Sequence, residues 1–286
     1  MKILVLADIH QRDFKWSKLA KAVKKEKPDI TCVAGDIVAN TFSFKYEKFV
    51  KNYIRVYAKK IKEVCPYLIL IPGNDDNGEL SNHLMTIDGA DDLWYNVHDR
   101  VLEIEGLEFV GIPYVLDHPF GYKYWCVRDD EELGVCPNQR SRPLTSEKGI
   151  DRYIPITDYR QFLLDRPSMQ TILEDMSKKV KDMSKSVWLM HCPPMGCGLD
   201  MASTGQVCGS KSITKFICDS QPLLTIHGHI HESPYYTNKW CCNMGYSWAI
   251  QAGQMNNNLY YVVVDVQDGK IIGLEHSIYG KKEIEE

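Results

Sequence analysis

The feature that most constrains this chain is a repeated one: a short apolar run that stops on a polar side chain able to bind metal. Residues 3–7 stop at Asp8-Ile9-His10, residues 29–34 at Gly35-Asp36, and residues 67–71 at Pro72-Gly73-Asn74-Asp75-Asp76. Two later runs do the same, 186–190 at His191 and 223–226 at His227-Gly228-His229-Ile230-His231. Apolar runs of this length read as buried strands of a parallel sheet when helix-length stretches separate them. Residues 14–25 carry such a stretch, amphipathic with lysines outward, and residues 44–64 carry a longer one. Strand, helix, strand, helix, strand predicts βαβ units in an α/β fold. In such a sheet, chemistry gathers at the carboxyl ends of the strands, where these polar residues stand.

The rest of the chain is organised around that frame. Residues 101–105 and 108–112, about Gly106, read as a hairpin, and residues 168–185 and 210–220 as helices. The tail is β-rich, with strands expected over 235–240, 246–251, 260–266 and 270–275, the last after an Asp268-Gly269 turn. Residues 114–166 are rich in aromatics, Pro, Gly and charge, and show little sustained periodicity. They read as an insertion that caps the site within one domain spanning 1–286. A chain of 286 residues with 44% hydrophobic content is long enough for such a sandwich.

Composition removes several classes of function. A net charge of -4 provides no basic field for nucleic acid as the main partner, although a bound metal pair would add positive charge locally. The apolar start is halted at Asp8, so it lacks a signal-peptide core, and no run reaches the length of a membrane span. The ten cysteines therefore read as reduced thiols of a cytoplasmic protein. None shows C-x-x-C spacing, so a thiolate zinc site is not expected.

The polar strand ends form a coherent donor set: Asp8, His10, Asp36, Asn74, His191, His229 and His231. Asp8-x-His10 and His229-x-His231 have period two, which leans both members of each pair to one side. Oxygen and imidazole donors suit Mn, Fe, Zn, Co or Ni better than Ca. Seven donors with Asp36 shared are enough for two divalent ions that keep open positions. Two such ions beside only Asp8 and Asp36 stay net positive and attract phosphate. Bound water acidified from a pKa of 15.7 to about 7, between ions about 3.5–4 Å apart, is suited to in-line attack on phosphorus.

The ordered motifs D-x-H, G-D, G-N-x-D, H-x-P-P and G-H-x-H, running from Asp8 to His231, resemble the calcineurin-like metallophosphoesterase superfamily. His191-Cys192-Pro193-Pro194, Gly209-Ser210-Lys211, Gln221-Pro222-Leu223-Leu224 and Gly228-His229-Ile230-His231-Glu232-Ser233 are similar to its Icc-like predicted prokaryotic phosphoesterases. The resemblance implies an αββα sandwich. It implies that Asp8, His10, Asp36 and His231 hold one metal, and that Asp36, Asn74, His191 and His229 hold the other. One position departs from the pattern. Many members carry His directly after the metal-binding Asn, where it protonates the leaving group or steadies a phosphoryl oxygen; here Asp75 stands there. Lineages lacking this His look more like phosphodiesterases. Asp75 also reads as a turn residue ahead of a helix. It serves as an acid only if its pKa is raised, and avoids repelling phosphate only if protonated or turned away.

Other candidates carry a plainer reading beside the functional one. His227 reads as packed inside, and His83, His98 and His118 are spare histidines able to replace the absent acid if a loop brings them near. Tyr122, Tyr124 and Trp125 read first as the insertion's own core and second as a base-stacking surface. Arg128, Arg140, Arg142 and Arg152 alternate with Asp129, Asp130, Glu131, Glu132 and Asp151, which is the pattern of a solvated mixed-charge surface. Cys192 and Cys197 read as small packing residues. The expected function is hydrolysis of a phosphodiester or nucleotide-type substrate by a metal-bridging hydroxide, with Mn as the metal and Asn74 and Asp75 as candidate catalytic residues. The alternatives are a Mn-dependent nuclease and a non-catalytic protein that binds metal and a phosphorylated ligand.

Overall fold

The structure, a computed structural model, describes residues 1–10, 13–38, 50–86, 93–130, 132–133, 139, 141–147 and 153–284. The first half alternates strands with helices: β1 (Lys2–Leu6), α1 (Asp13–Glu26), β2 (Ile30–Ala34), α2 (Arg55–Lys62), β3 (Tyr67–Ile71), α3 (Gly78–Thr86) and β4 (Tyr95–Asn96). The hairpin β5 (Val101–Ile104) and β6 (Leu107–Ile112) follows. Next come short strands β7 (Val115–Leu116), β8 (Cys126–Val127), β9 (Leu144–Thr145) and β10 (Ile154–Pro155). The remainder is α4 (Tyr159–Leu164), α5 (Met169–Ser177), β11 (Ser186–Met190), α6 (Lys211–Ser220), β12 (Leu224–His227), α7 (Ser233–Thr237), β13 (Cys241–Met244), β14 (Ser247–Gln251), β15 (Val262–Gln267), β16 (Lys270–His276) and β17 (Gly280–Lys282).

Two sheets carry the fold. One has the order β17-β16-β15-β1-β2-β3-β4 and the other β13-β14-β12-β11-β6-β5. β1, β2, β3 and β4 are parallel, as are β6, β11, β12 and β14. The two-residue period of a strand divides each run between two cores. Ile3, Val5 and Ala7 point between the sheets, with Ile69, Phe109, Val187, Ile226 and Val264. Leu4 and Leu6 point outward beneath Trp16, Leu19 and Ile61 of α1 and α2. On the far side Trp188 and Met190 pack beneath Leu173, Ile213 and Phe216 of α5 and α6. The layers are thus helix, sheet, sheet, helix, the expected αββα sandwich. Among the described residues, no helix is long and apolar enough to cross a membrane.

Three segments differ from the sequence reading. The helix expected over 168–185 stops at Ser177, because the buried Glu108 carboxylate accepts the Lys181 and Asp182 N–H groups at 2.9–3.1 Å and draws the chain out of helical register. The strand expected over 235–240 begins as the short helix α7, with Pro234 at its start, where a missing N–H costs nothing. The strand itself, β13, comes later and pairs antiparallel with β14. Of the helix expected over 44–64, residues 44–49 lie outside the described residues, and a π-helical turn, Val50–Ile54, leads into α2.

His276, at the end of β16, gives the acid side of the stability curve a specific cause. Its Nε2–H donates to the Ala252 carbonyl at 2.8 Å, and its Nδ1 accepts from the Ile278 and Tyr279 N–H groups at 3.0 and 3.2 Å. Burial pushes this imidazole down to about 4. The folded form is neutral while the unfolded chain takes a proton near pH 6.5, so stability falls as pH drops from about 6.5 to about 4, by roughly 3 kcal/mol from this group. His276→Asn, which keeps an acceptor near Nδ1 and does not titrate, is expected to flatten that limb in urea unfolding. Identical pH slopes for the two proteins would refute the assignment.

Candidate metal centre

The strand ends are stitched together by backbone hydrogen bonds before any side chain acts. Asp8 N–H donates to the Gly35 carbonyl at 3.0 Å, His10 N–H to the Asp36 carbonyl at 2.8 Å, and Gly228 N–H to the His191 carbonyl at 3.0 Å. Four of the seven predicted donors sit in left-handed backbone: Asp8 (φ 60°), His10 (φ 50°), Asp36 (φ 51°) and His229 (φ 71°). Such conformations cost about 1–3 kcal/mol each and persist only where surrounding contacts enforce them. Here they turn the side chains off the sheet ends into one gap. Gly73 is required by closeness: a Cβ there would lie 2.4 Å from both the backbone nitrogen and Oδ1 of Asp36.

All seven predicted donors converge, and they do so as two groups. In the first, His10 Nε2 lies 2.8 Å from His231 Nε2 and 3.7 Å from Asp36 Oδ2, and His231 Nε2 lies 3.4 Å from Asp8 Oδ1. Ligand atoms of Asp8, His10, Asp36 and His231 all fall within 4.8 Å of one another. In the second, Asn74 Oδ1 lies 3.0 Å from His191 Nε2 and 2.6 Å from His229 Nδ1, and His191 Nε2 lies 3.3 Å from the same Asp36 Oδ2. The oxygen common to both groups is therefore Asp36 Oδ2.

The donor set fits a pair of cations on three observations. Two imidazole nitrogens face each other at 2.8 Å in the first group, a contact suited to lone pairs sharing a cation. Asp8 is 1% exposed, yet its Oδ2 has no hydrogen-bond partner among the described residues. His191 donates Nδ1–H to the Ala34 carbonyl at 2.8 Å, which leaves its Nε2 as the lone-pair donor, as an outer partner does for a metal-binding imidazole.

The electrostatics of the protein alone agree. Burial would raise Asp36, but the facing His191 and His10 and the Asp75 N–H overcome it and hold the carboxyl well below the usual range. Burial would likewise lower His191 and His231, but Asp36 and Asp8 hold them up. The carboxylates seek positive charge, which protons on the imidazoles supply and a metal would displace. Burial, then His118 and His191, drive His229 down, so its ring is neutral.

The remaining candidates separate cleanly. His227 faces away, with Nδ1–H donated to the Met190 and Cys192 carbonyls and Nε2 accepting from Thr225. His98 is held by Ser81 Oγ at 3.1 Å and lies edge-on to Trp125, while His83 sits in the last turn of α3. His118 does reach the site: it stacks on His229 with ring centroids 5.5 Å apart, and Phe120 meets the same ring edge-on at 5.9 Å. In the sequence His118 reads only as a spare histidine and Phe120 does not stand out; neither carries a motif. Tyr122 and Trp125 are buried, and both rings lie against Tyr124. Arg128 donates to the Arg166 carbonyl at 3.1 Å, Arg142 is exposed, and Arg140 and Arg152 lie outside the described residues. Cys192 is buried in the outer core, and Cys197 is partly buried against it.

The family model for calcineurin-like phosphoesterases matches residues 1–233. The chain belongs to the calcineurin-like phosphoesterase family, and with it to the hydrolases that act on phosphoesters. One crystal structure superposes with a TM-score of 0.61 at 17% identity, covering 96% of this chain and 98% of its own. The crystal structure of TT1561 from Thermus thermophilus superposes with a TM-score of 0.55 at 16% identity, covering 97% of this chain and 98% of its own. These likenesses establish the fold. No curated protein sequence matches the chain.

Proposed function

We propose that this chain is a phosphodiesterase acting on a diester or nucleotide-type substrate with two divalent ions, Mn foremost among Mn, Fe, Zn, Co and Ni. The observation that carries the reading is the pair of donor groups meeting at Asp36 Oδ2. Asp8, His10, Asp36 and His231 would hold one ion, and Asp36, Asn74, His191 and His229 the other. Bound there, the ions would supply positive charge for the phosphoryl group and acidify bound water. The protein's part is to fix the donors. Ala34 commits the His191 tautomer, and the backbone ties among the loops after β1, β2, β11 and β12 hold the carboxylates in place.

The preference for a diester rests on what surrounds those donors. Asp75 brings no ring N–H to the position where many relatives carry His, which disfavours esters with poor leaving groups. The proposed cap, residues 114–166, sets the half-buried His118 and Phe120 against His229, an aromatic wall suited to a second organic group. Lys123, whose side chain is 0% exposed, fixes that turn by bonding Asp117 Oδ1 at 2.7 Å and the His118 carbonyl at 2.5 Å. The nine described cysteines are free thiols, the state a reducing compartment keeps, and we place the protein in the cytoplasm.

With Mn added, the protein is expected to cleave bis(p-nitrophenyl) phosphate faster than p-nitrophenyl phosphate. A chelator should stop both reactions, and added Mn should restore them. Faster cleavage of the monoester would overturn the diester preference, and activity unaffected by chelation would overturn the metal reading.

A further inference from the structure

Asp75 departs from the family pattern, and its surroundings suggest why. Its side chain is turned toward the donors. Oδ1 accepts from Asn74 Nδ2 at 3.0 Å, and Oδ2 lies 3.4 Å from His10 Nδ1. Its backbone N–H donates to Asp36 Oδ1 at 2.8 Å. One residue thus touches a donor of the first group, a donor of the second and the donor shared by both.

Two of these contacts are hydrogen bonds that each settle an ambiguity, and the third places a carboxylate oxygen beside His10 Nδ1. An Asn side chain can present either its oxygen or its NH2, and only the oxygen can bind a cation. With its NH2 donated to Asp75, Asn74 has to aim Oδ1 at His191 and His229, as observed. An imidazole likewise binds metal through one nitrogen when the other holds its proton against an acceptor. Asp75 Oδ2 lies beside Nδ1 of His10, while Nε2 faces His231 and Asp36. The Asp75 N–H occupies Asp36 Oδ1 and leaves Oδ2 to be shared.

We propose that Asp75 is a positioning residue that orients His10, Asn74 and Asp36 for two cations, rather than an acid that protonates the leaving group. This rests on the two-metal reading above.

The test uses the full chain and Mn(II) alone. Calorimetry and electron paramagnetic resonance would follow binding to the parent, Asp75→Asn and Asp75→Ala. The Asn variant is isosteric but offers an acceptor to only one of the two side-chain partners. Loss of such an outer partner costs about 10–100-fold in metal affinity. Both variants are expected to bind at least one Mn that much more weakly, and to lose the spin-coupled signal of a Mn pair at concentrations where the parent shows it. Thermal unfolding of the metal-free proteins should stay close to the parent's. Parental Mn affinity in both variants overturns the proposal. So does parental affinity joined to an activity loss that grows with leaving-group pKa, which is the signature of an acid. A parent that binds no Mn instead sinks the two-metal reading, and this inference with it.

Discussion

Asp36→Asn is expected to cut kcat/KM by on the order of 10³-fold, the scale at which losing a principal charge-stabilising group is felt. Metal content should fall below two Mn per chain. Asp36 Oδ2 lies 3.7 Å from His10 Nε2 and 3.3 Å from His191 Nε2, while Oδ1 accepts the Asp75 N–H. An amide cannot satisfy both sides. If its NH2 replaces Oδ2, a donor faces the His10 and His191 imidazoles; if it is flipped, that donor meets the Asp75 N–H. The substitution also removes one of the two carboxylates, Asp8 and Asp36, that would balance the proposed cations. Mass spectrometry for Mn, run beside the diester assay, reads both effects. Two Mn retained with activity within tenfold of the parent would show that the shared oxygen is not needed.

The largest stability loss is expected from Asp76→Ala, which acts on the backbone around the same site. Asp76 is 0% exposed, and its oxygens accept three backbone N–H groups: Ile37 at 2.9 Å, Val38 at 2.7 Å and Gly73 at 2.9 Å. Its own carbonyl accepts from the Trp125 indole of the proposed cap. The side chain therefore clamps the loop after β2 to the loop after β3, the two loops that carry Asp36 and Asn74. Alanine leaves three buried donors without an acceptor. Each orphaned group costs about 1–3 kcal/mol, so a total of roughly 3–5 kcal/mol is expected, with partial relaxation allowed for. For a chain of this size that corresponds to a fall in Tm of about 10 °C. Asp76→Asn keeps one acceptor oxygen and should lose less. Urea unfolding that places Asp76→Ala within 1 kcal/mol of the parent would contradict this role.

The two residues show where sequence reading succeeds and where it stops. Asp76 matches a motif position, so its importance is visible there, but a motif does not say that the carboxylate serves the backbone of two loops. Asp75 reads as a turn residue or a doubtful acid. Its neighbour Asn77 is the residue that caps α3, accepting from the Glu79 and Leu80 N–H groups. The orientation of Asp75 toward His10 depends on a contact across 65 residues of chain, which no local pattern encodes. The same holds for His118 on His229 and for the Glu108 carboxylate that ends α5.

The sequence by itself determined the parallel strands and the seven donors at their ends, and its resemblance to a known family implied the αββα sandwich and the division of those donors. Strand burial is written in local apolar runs, and a parallel sheet delivers every strand end to one edge. Only the tertiary structure decided that Asp36 Oδ2 is the atom both groups share, that four donors stand on left-handed backbone, and that Asp75 turns toward them. The physical reason is that these are matters of ångströms between segments far apart in the chain. They are set by the packing of two sheets and by the backbone hydrogen bonds that tie their loops together.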